Sequence, residues 1–164
     1  MLVSLLAVTL VVASGAIALR LYMGRASEDE LRPDERIVIS KLRAPIPNNA
    51  FLVCPPGYCA AAAAPSPVFA LPVERLSQLW SEMIAREPHV VPVLNETAQH
   101  RLVVIQHTPL LRFPDIITIE FVALATDRSS VAVYSRARYG KGDFGTNRRR
   151  VLAWLSQVEP WAVR

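Results

Sequence analysis

Three features of the 164-residue chain predict an α+β fold. The stretch "PVERLSQLWSEMIARE" places Val73, Leu76, Leu79, Trp80, Met83 and Ile84 at intervals of three and four, the spacing of one helical face. Four segments rich in Val, Ile, Phe and Tyr follow, each about a strand long and separated by turn formers. A second helical stretch closes the chain. The order helix, strands, helix predicts an antiparallel sheet of four to five strands with both helices packed on one face. An apolar N-terminal segment, expected to be a transmembrane helix, precedes it. The expected organisation is an anchor over 1–24, a juxtamembrane stalk over 25–44 and an α+β domain over 45–164.

The anchor is read from Leu2 to Leu19, "LVSLLAVTLVVASGAIAL", which carries no charge. With Tyr22 and Met23 beyond Arg20 it reaches the roughly 20 residues needed to cross a bilayer. Small residues Ala13, Gly15, Ala16 and Ala18 also suit a cleavable signal peptide. However, no Lys or Arg precedes the apolar run and apolar residues continue past the small ones, so retention is the preferred reading. Arg20 and Arg25 follow the run, and the positive-inside rule alone would leave the body in the cytoplasm. Cys54 and Cys59, in "CPPGYC", argue the other way. They can close a small disulfide loop, which suits an oxidising compartment; two unpaired thiols are the alternative.

From Arg25 to Arg36, "RASEDELRPDER" has mixed charge and reads as a solvated stalk or short surface helix. The Pro- and Ala-rich stretch from Lys41 to Pro72 disfavours helix and is expected to be irregular, with a short strand over 50–53. Pro72 suits the first turn of the first domain helix and Pro88 its end. The strands are "HVVPVLNE", "HRLVVIQHT", "DIITIEFVALA" and "SSVAVYSRAR", and short connections make them antiparallel neighbours. In the last, Val131, Val133 and Ser135 point one way and Tyr134, Arg136 and Arg138 the other. The closing helix is expected from Phe144 to Val158, capped by Asp143 or Thr146.

The candidate site lies between these last two elements, in "SRARYGKGDFGTNRRR". Basic side chains flank a turn built from Gly140, Gly142 and Gly145. From Arg128 to Arg164, eight Lys and Arg face only Asp143 and Glu159, a net of +6 against +4 for the whole chain. Arg148, Arg149 and Arg150 fall in the first two turns of a helix, where the macrodipole disfavours cations by about 0.3–1 kcal/mol each. A bound anion would offset this, as would carboxylates of the same chain: Arg136 or Arg148 could pair with Asp115, Glu120 or Asp143. Plain solvated charge is the third reading.

The terminal stretch "SRARYGKGDFGTNRRRV", the earlier "LLRFPDIITIEF" and the Asn, Pro and Cys region before the first domain helix together resemble the family catalogued as domain of unknown function 1499. In that family a strand ending Ser-Arg-x-Arg leads through Gly and Asp-x-Gly-x-Asn-Arg into a final helix. The resemblance covers about residues 45–160. It implies the motif positions Arg112, Phe113, Asp115, Ser135, Arg136, Arg138, Gly140, Asp143, Gly145, Asn147, Arg148 and Arg150. It further implies a bacterial or organellar protein, often membrane-attached or exported, and brings no mechanism. "PNNAFLVCPPGYC" departs from the pattern, standing where a shorter Pro-Asn-Cys segment is expected.

Other chemistries find little footing. His89, His100 and His107 lack finger-like spacing with the cysteines, Cys54 and Cys59 match neither a redox CxxC nor a haem motif, and no nucleophile elbow is present. No cofactor or metal is expected. Few aromatics accompany the basic end, which argues against nucleic acid. The sequence predicts a single-pass inner-membrane protein with its domain on the periplasmic side, acting as an accessory or scaffolding subunit. Its expected partners are the membrane, through the N-terminal helix, a protein of a membrane complex, and lipid headgroups. A small-anion receptor or an enzyme at the Arg/Gly turn is the alternative.

Overall fold

A computed structural model describes residues 2–23 and 30–163. The described chain is α+β, with three α-helices and a mixed sheet of seven strands. In chain order these are α1 (Leu2–Met23), β1 (Ala50–Cys54), β2 (Ala64–Pro65), β3 (Val68–Phe69), α2 (Val73–Ile84), β4 (Val90–Glu96), β5 (Arg101–His107), β6 (Pro114–Ala125), β7 (Arg128–Ala137) and α3 (Thr146–Val158). The strands run β2-β1-β7-β6-β5-β4, and β3 also pairs β7. β1 and β3 share one edge of β7, meeting its later and earlier residues respectively.

The expectation of a purely antiparallel sheet of four to five strands is corrected in two respects. β1 and β2 are parallel, and β2 and β3 are additional strands of two residues each. Both lie in the Ala- and Pro-rich stretch, where composition hides them. They are extended because β1 and β7 offer free edges to pair with; Ala64 and Pro65 contribute little propensity of their own, and Val68 and Phe69, though good strand formers, are too short a run to show as a strand.

Alternation along the strands sorts side chains onto two faces. Val131 and Val133 of β7, Ile117, Ile119 and Phe121 of β6, and Leu102 and Val104 of β5 join one core with α2 and α3. Trp80 of α2 anchors that core, fully buried and edge-on to both Phe121 and Trp154 of α3, an arrangement aromatic quadrupoles favour. Both domain helices cover this face. α3 starts at Thr146, two residues later than Phe144, because Phe144 and Gly145 have φ of 52° and 74°, left-handed values that a helix does not propagate.

The opposite face is covered too, and by an element the sequence reads otherwise. The segment around 31–46 lies over it. Ile39 packs with Leu52, Cys54, Ala132 and Tyr134, and Leu31 packs with Val103, Ile105 and Ile116. Ile39 is completely buried and Glu35 is 2% exposed. The second half of the expected stalk is therefore part of the domain, which its charge density conceals. Cys54, at the end of β1, is disulfide-bonded to Cys59, with Cα atoms 6.2 Å apart. The loop so closed presents Tyr58, whose hydroxyl donates to Glu120 Oε2 at 2.9 Å. Glu120 Oε1 also accepts the Ile39 amide, at 3.0 Å. One carboxylate of β6 thus fixes both the covering segment and the disulfide loop. Burial, then the hydrogen bond to Glu120 and that residue's charge, push the Tyr58 phenol up to about 12.

α1 occupies the segment the sequence assigns to the bilayer, and its described apolar side chains, among them Val11, Val12 and Leu21, are exposed. Among the described residues no helix is long and apolar enough to cross a membrane. Arg25, also expected near the membrane, lies outside the described residues.

If the 31–46 segment holds the second core, Ile39→Ala should lower the unfolding free energy by about 2–5 kcal/mol, measured by urea denaturation followed through tryptophan fluorescence. A solvated stalk would give a change within about 0.5 kcal/mol.

Candidate functional site

The last residues of β7 carry the arginine motif, and the period of two sends them to different faces. Ser135 continues the line of Val131 and Val133 toward α3. Arg136 and Arg138 continue that of Ala132 and Tyr134 toward the N-terminal segment. β6 lies alongside with Asp115 opposite Ala137, so Asp115 falls on the α3 side.

On the N-terminal side, Arg138 and Glu35 form a two-point pair. Arg138 Nε donates to Glu35 Oε1 and Nη2 to Oε2, both at 2.8 Å, and their side chains are 1% and 2% exposed. Nη2 also donates to the Glu30 carbonyl at 2.7 Å, while Glu35 accepts the Arg32 amide at 2.9 Å. Arg136 approaches the same carboxylate less closely, at 3.8 Å. Arg32 donates to the Tyr139 hydroxyl at 2.7 Å and its guanidinium lies 5.3 Å from that ring's centre. The N-terminal segment is thereby fastened to the start of the glycine turn.

On the α3 side, Arg150 reaches back to the sheet. Its Nη2 meets Asp115 Oδ2 at 2.5 Å, its Nη1 donates to Ser135 Oγ at 3.0 Å and Asn147 Oδ1 at 2.6 Å, and its Nε donates to Gln106 Oε1. Ser135 Oγ donates to Asn147 Oδ1 at 2.6 Å, and both residues are completely buried. A serine held between an amide oxygen and a guanidinium has no base beside it to take its proton, so its role is to join strand to helix. Burial pushes the Asp115 carboxyl above the usual carboxylate range. Arg150 pulls against that rise without reversing it, and the charge of Asp143 adds to it.

The turn between these elements is closed by Asp143. Its Oδ1 accepts the Gly145 amide at 3.0 Å, and its Oδ2 accepts both the Asn147 amide and the Asn147 side-chain amide at 2.8 Å. These donors lie at the start of α3, where a negative group also suits the macrodipole. Burial alone would raise the Asp143 carboxyl, but the hydrogen bonds from Asn147 and Gly145 outweigh it and hold the group below its usual value. Gly145 can take its left-handed φ without a side-chain clash. A Cβ there would stand 3.3 Å from Arg149 Nη1, which donates to the Phe144 carbonyl at 2.8 Å. Asn49, just before β1, completes the assembly. Its side-chain amide donates to the Gly140 carbonyl at 2.8 Å, and its own carbonyl accepts from Asn147 Nδ2 at 2.9 Å.

Several expected pairings are corrected. Neither Arg136 nor Arg148 pairs with Asp115, Glu120 or Asp143. Asp115 takes Arg150, and Arg136 and Arg138 turn to Glu35 instead. Glu120 is opposite Ala132, too far along β7 for the motif arginines to reach. Arg148 lies over the Phe51 ring, 6.0 Å from its centre. Arg112 has φ 55° and donates its amide to the Thr108 carbonyl; among the described residues no carboxylate pairs with it. Glu35, Asn49 and Gln106 are not singled out by the sequence, since each acts from a distant segment: Glu35 is hidden in a mixed-charge stretch that suggests solvation, Gln106 is one residue of a strand, and Asn49 belongs to no pattern.

With Arg136, Arg138 and Arg150 engaged inside, the accessible surface of the region includes a cleft of about 360 Å³ between the 108–113 loop and the glycine turn, lined by Thr108, Phe113, Tyr139, Gly142, Phe144 and Thr146. Phe144 stands at its rim, 98% exposed. Among the described residues no cluster of His, Cys, Asp and Glu could hold a metal ion.

The lowered Asp143 group fixes a sign. Its folded value lies below the usual 3.8, so its stabilising contribution is full above that value and is lost as pH falls through the folded value. The stability difference between the protein and Asp143→Asn, taken from urea melts, should be constant above about pH 5 and shrink toward pH 2–3. A difference independent of pH would contradict the assignment.

No curated protein matches the chain. A protein from Thermobifida fusca, solved in solution by NMR, is similar at 12% identity over 62% of this chain and 79% of that one, with a TM-score of 0.39, too slight a likeness to bear on the argument. Residues 53–158 match the model of a family described as "Protein of unknown function (DUF1499)". The match runs from β1 to the end of α3 and contains every motif position from Arg112 to Arg150; the chain belongs to this family.

Proposed function

We propose that this protein is a membrane-tethered binding domain, an accessory or scaffolding subunit of an inner-membrane assembly, with its α+β domain on the periplasmic side. The observation that carries the binding reading is the inward engagement of the charged motif. Arg138 and Arg150 are paired with Glu35 and Asp115 at side-chain exposures of 8% or less, and Ser135 is locked between Asn147 and Arg150. The groups that could have done chemistry hold the fold together. What they leave at the surface is a rigid loop with an open cleft and an exposed aromatic, which suits recognition better than catalysis.

The tether is supported by the uncharged run from Leu2 to Leu19, which with Tyr22 and Met23 reaches the roughly 20 residues that span a bilayer. Small residues Ala13, Ser14, Gly15 and Ala16 would let a partner helix approach closely. The disulfide between Cys54 and Cys59 favours an oxidising compartment over the cytoplasm that the flanking arginines suggest. The alternative of a small-anion receptor loses its expected clamp, because Arg136 and Arg138 face Glu35 and Arg148 lies over Phe51.

Affinity purification of the full chain in mild detergent, followed by mass spectrometry, tests this reading. It should recover a larger assembly at fixed stoichiometry from the membrane fraction. Solitary migration, or recovery in the soluble fraction after alkaline washing, would contradict it.

A further inference from the structure

We infer that the end of the sheet bearing the glycine turn docks on the anionic headgroups of the bilayer holding α1, with Phe144 entering the interface. This rests on the tethered reading above and names what the free surface touches.

Three observations point the same way. The first is Phe144, a large apolar side chain 98% exposed on a turn that cannot easily retract it. Its carbonyl accepts from Arg149, and Asp143 and Gly145 on either side of it are joined by a hydrogen bond. An aromatic held rigidly in water suits a surface with an apolar interior beneath a polar layer, where aromatic rings concentrate.

The second is charge. Lys141 and Arg149 are exposed on either side of Phe144 in the chain, Arg149 donating to its carbonyl, while exposed Arg148 opens α3 over Phe51 and Arg112 stands on the neighbouring loop. The one acid within the turn, Asp143, spends its carboxylate on the amides of Gly145 and Asn147. Exposed Glu30 and Asp34 lie on the adjoining N-terminal segment, offset by Arg32 and Arg36. The turn itself therefore offers a basic collar about an apolar tip, complementary to a negative leaflet.

The third is where the chain leaves the domain. Arg138 binds the Glu30 carbonyl and Arg32 binds Tyr139, so the segment leading from α1 joins the domain at the glycine-turn end. Seven residue steps separate Met23 from Glu30, which limits their separation to about 25 Å. The β6–β7 hairpin at Thr126 and Asp127 lies at the other end of the sheet, about 36 Å away along β6. A bilayer holding α1 therefore has the glycine turn as its nearest neighbour.

The test uses the full chain in vesicles of phosphatidylcholine with and without phosphatidylglycerol, containing lipid that carries a nitroxide quencher. Among the described residues no free cysteine exists, so one introduced thiol can carry a fluorophore. Gly142→Cys keeps Phe144 in place, and a Cβ there meets nothing within 4 Å; Thr126→Cys reports the far end. The inference predicts quenching at 142 several-fold greater than at 126 in anionic vesicles. That quenching should fall several-fold with added salt, without phosphatidylglycerol, or on Phe144→Ser. Equal quenching at the two positions, or no effect of Phe144→Ser, would overturn it, provided the chain floats with the vesicles after alkaline washing. Failure to float would instead remove the tether, and the inference with it. A label at 142 left unquenched by lipid but shielded in the purified assembly would make this a protein interface and overturn the lipid assignment.

Discussion

The pair formed by Arg138 and Glu35 is the constraint on which the rest of the structure depends. Two opposite charges are taken almost wholly out of water, and the attraction offsets their desolvation only if the remaining donors and acceptors are also satisfied. Here they are. The guanidinium grips the carboxylate at two points and adds the Glu30 carbonyl, and the carboxylate takes in the Arg32 amide. Because Glu35 comes from the N-terminal segment and Arg138 from the end of β7, the pair decides that the segment lies across the second face. Ile39 is then placed over Leu52 and Tyr134, and Glu120 receives the Ile39 amide and the Tyr58 hydroxyl.

A second pair, Arg150 with Asp115, does for the helix face what the first does for the other. Strand geometry makes the division unavoidable, since adjacent residues of β7 must point to opposite sides. The Ser-Arg-x-Arg stretch thus binds α3 through Ser135 and the N-terminal segment through Arg136 and Arg138. Asp143 and Asn147 hold the intervening turn in a shape that only Gly145 suits at its left-handed φ. The motif is a clasp closing three segments on one strand end. The charges of Arg136, Arg138 and Arg150 face inward, and the recognition surface is what the clasp holds out.

Much of the fold is legible in the sequence because its signals are local. Helical spacing in 73–84 and β-branched runs from Val90 to Ala137 mark α2 and β4 to β7, and a short strand over 50–53 anticipates β1. β2 and β3 are silent because a two-residue strand acquires its conformation from its neighbour. The mixed charge of 25–36 suggests solvation, yet one of its carboxylates is among the most buried groups in the domain. No local pattern tells a glutamate that will meet a buried arginine from one that will meet water. The same non-locality explains the site. The crowding of cations at a helix start shows that negative partners are needed, but their identity follows from strand register and from a segment a hundred residues away.

A double-mutant cycle on Glu35→Gln and Arg138→Met, read from urea denaturation of the single and double variants, tests the central claim most directly. The account predicts that each single change destabilises by about 3–5 kcal/mol, as when one member of a buried pair is left behind. The two should couple by about 2 kcal/mol or more, the double variant being far less damaged than the sum. Changes that add to within about 0.5 kcal/mol would mean that the two charges do not depend on each other and that the clasp is held by something else.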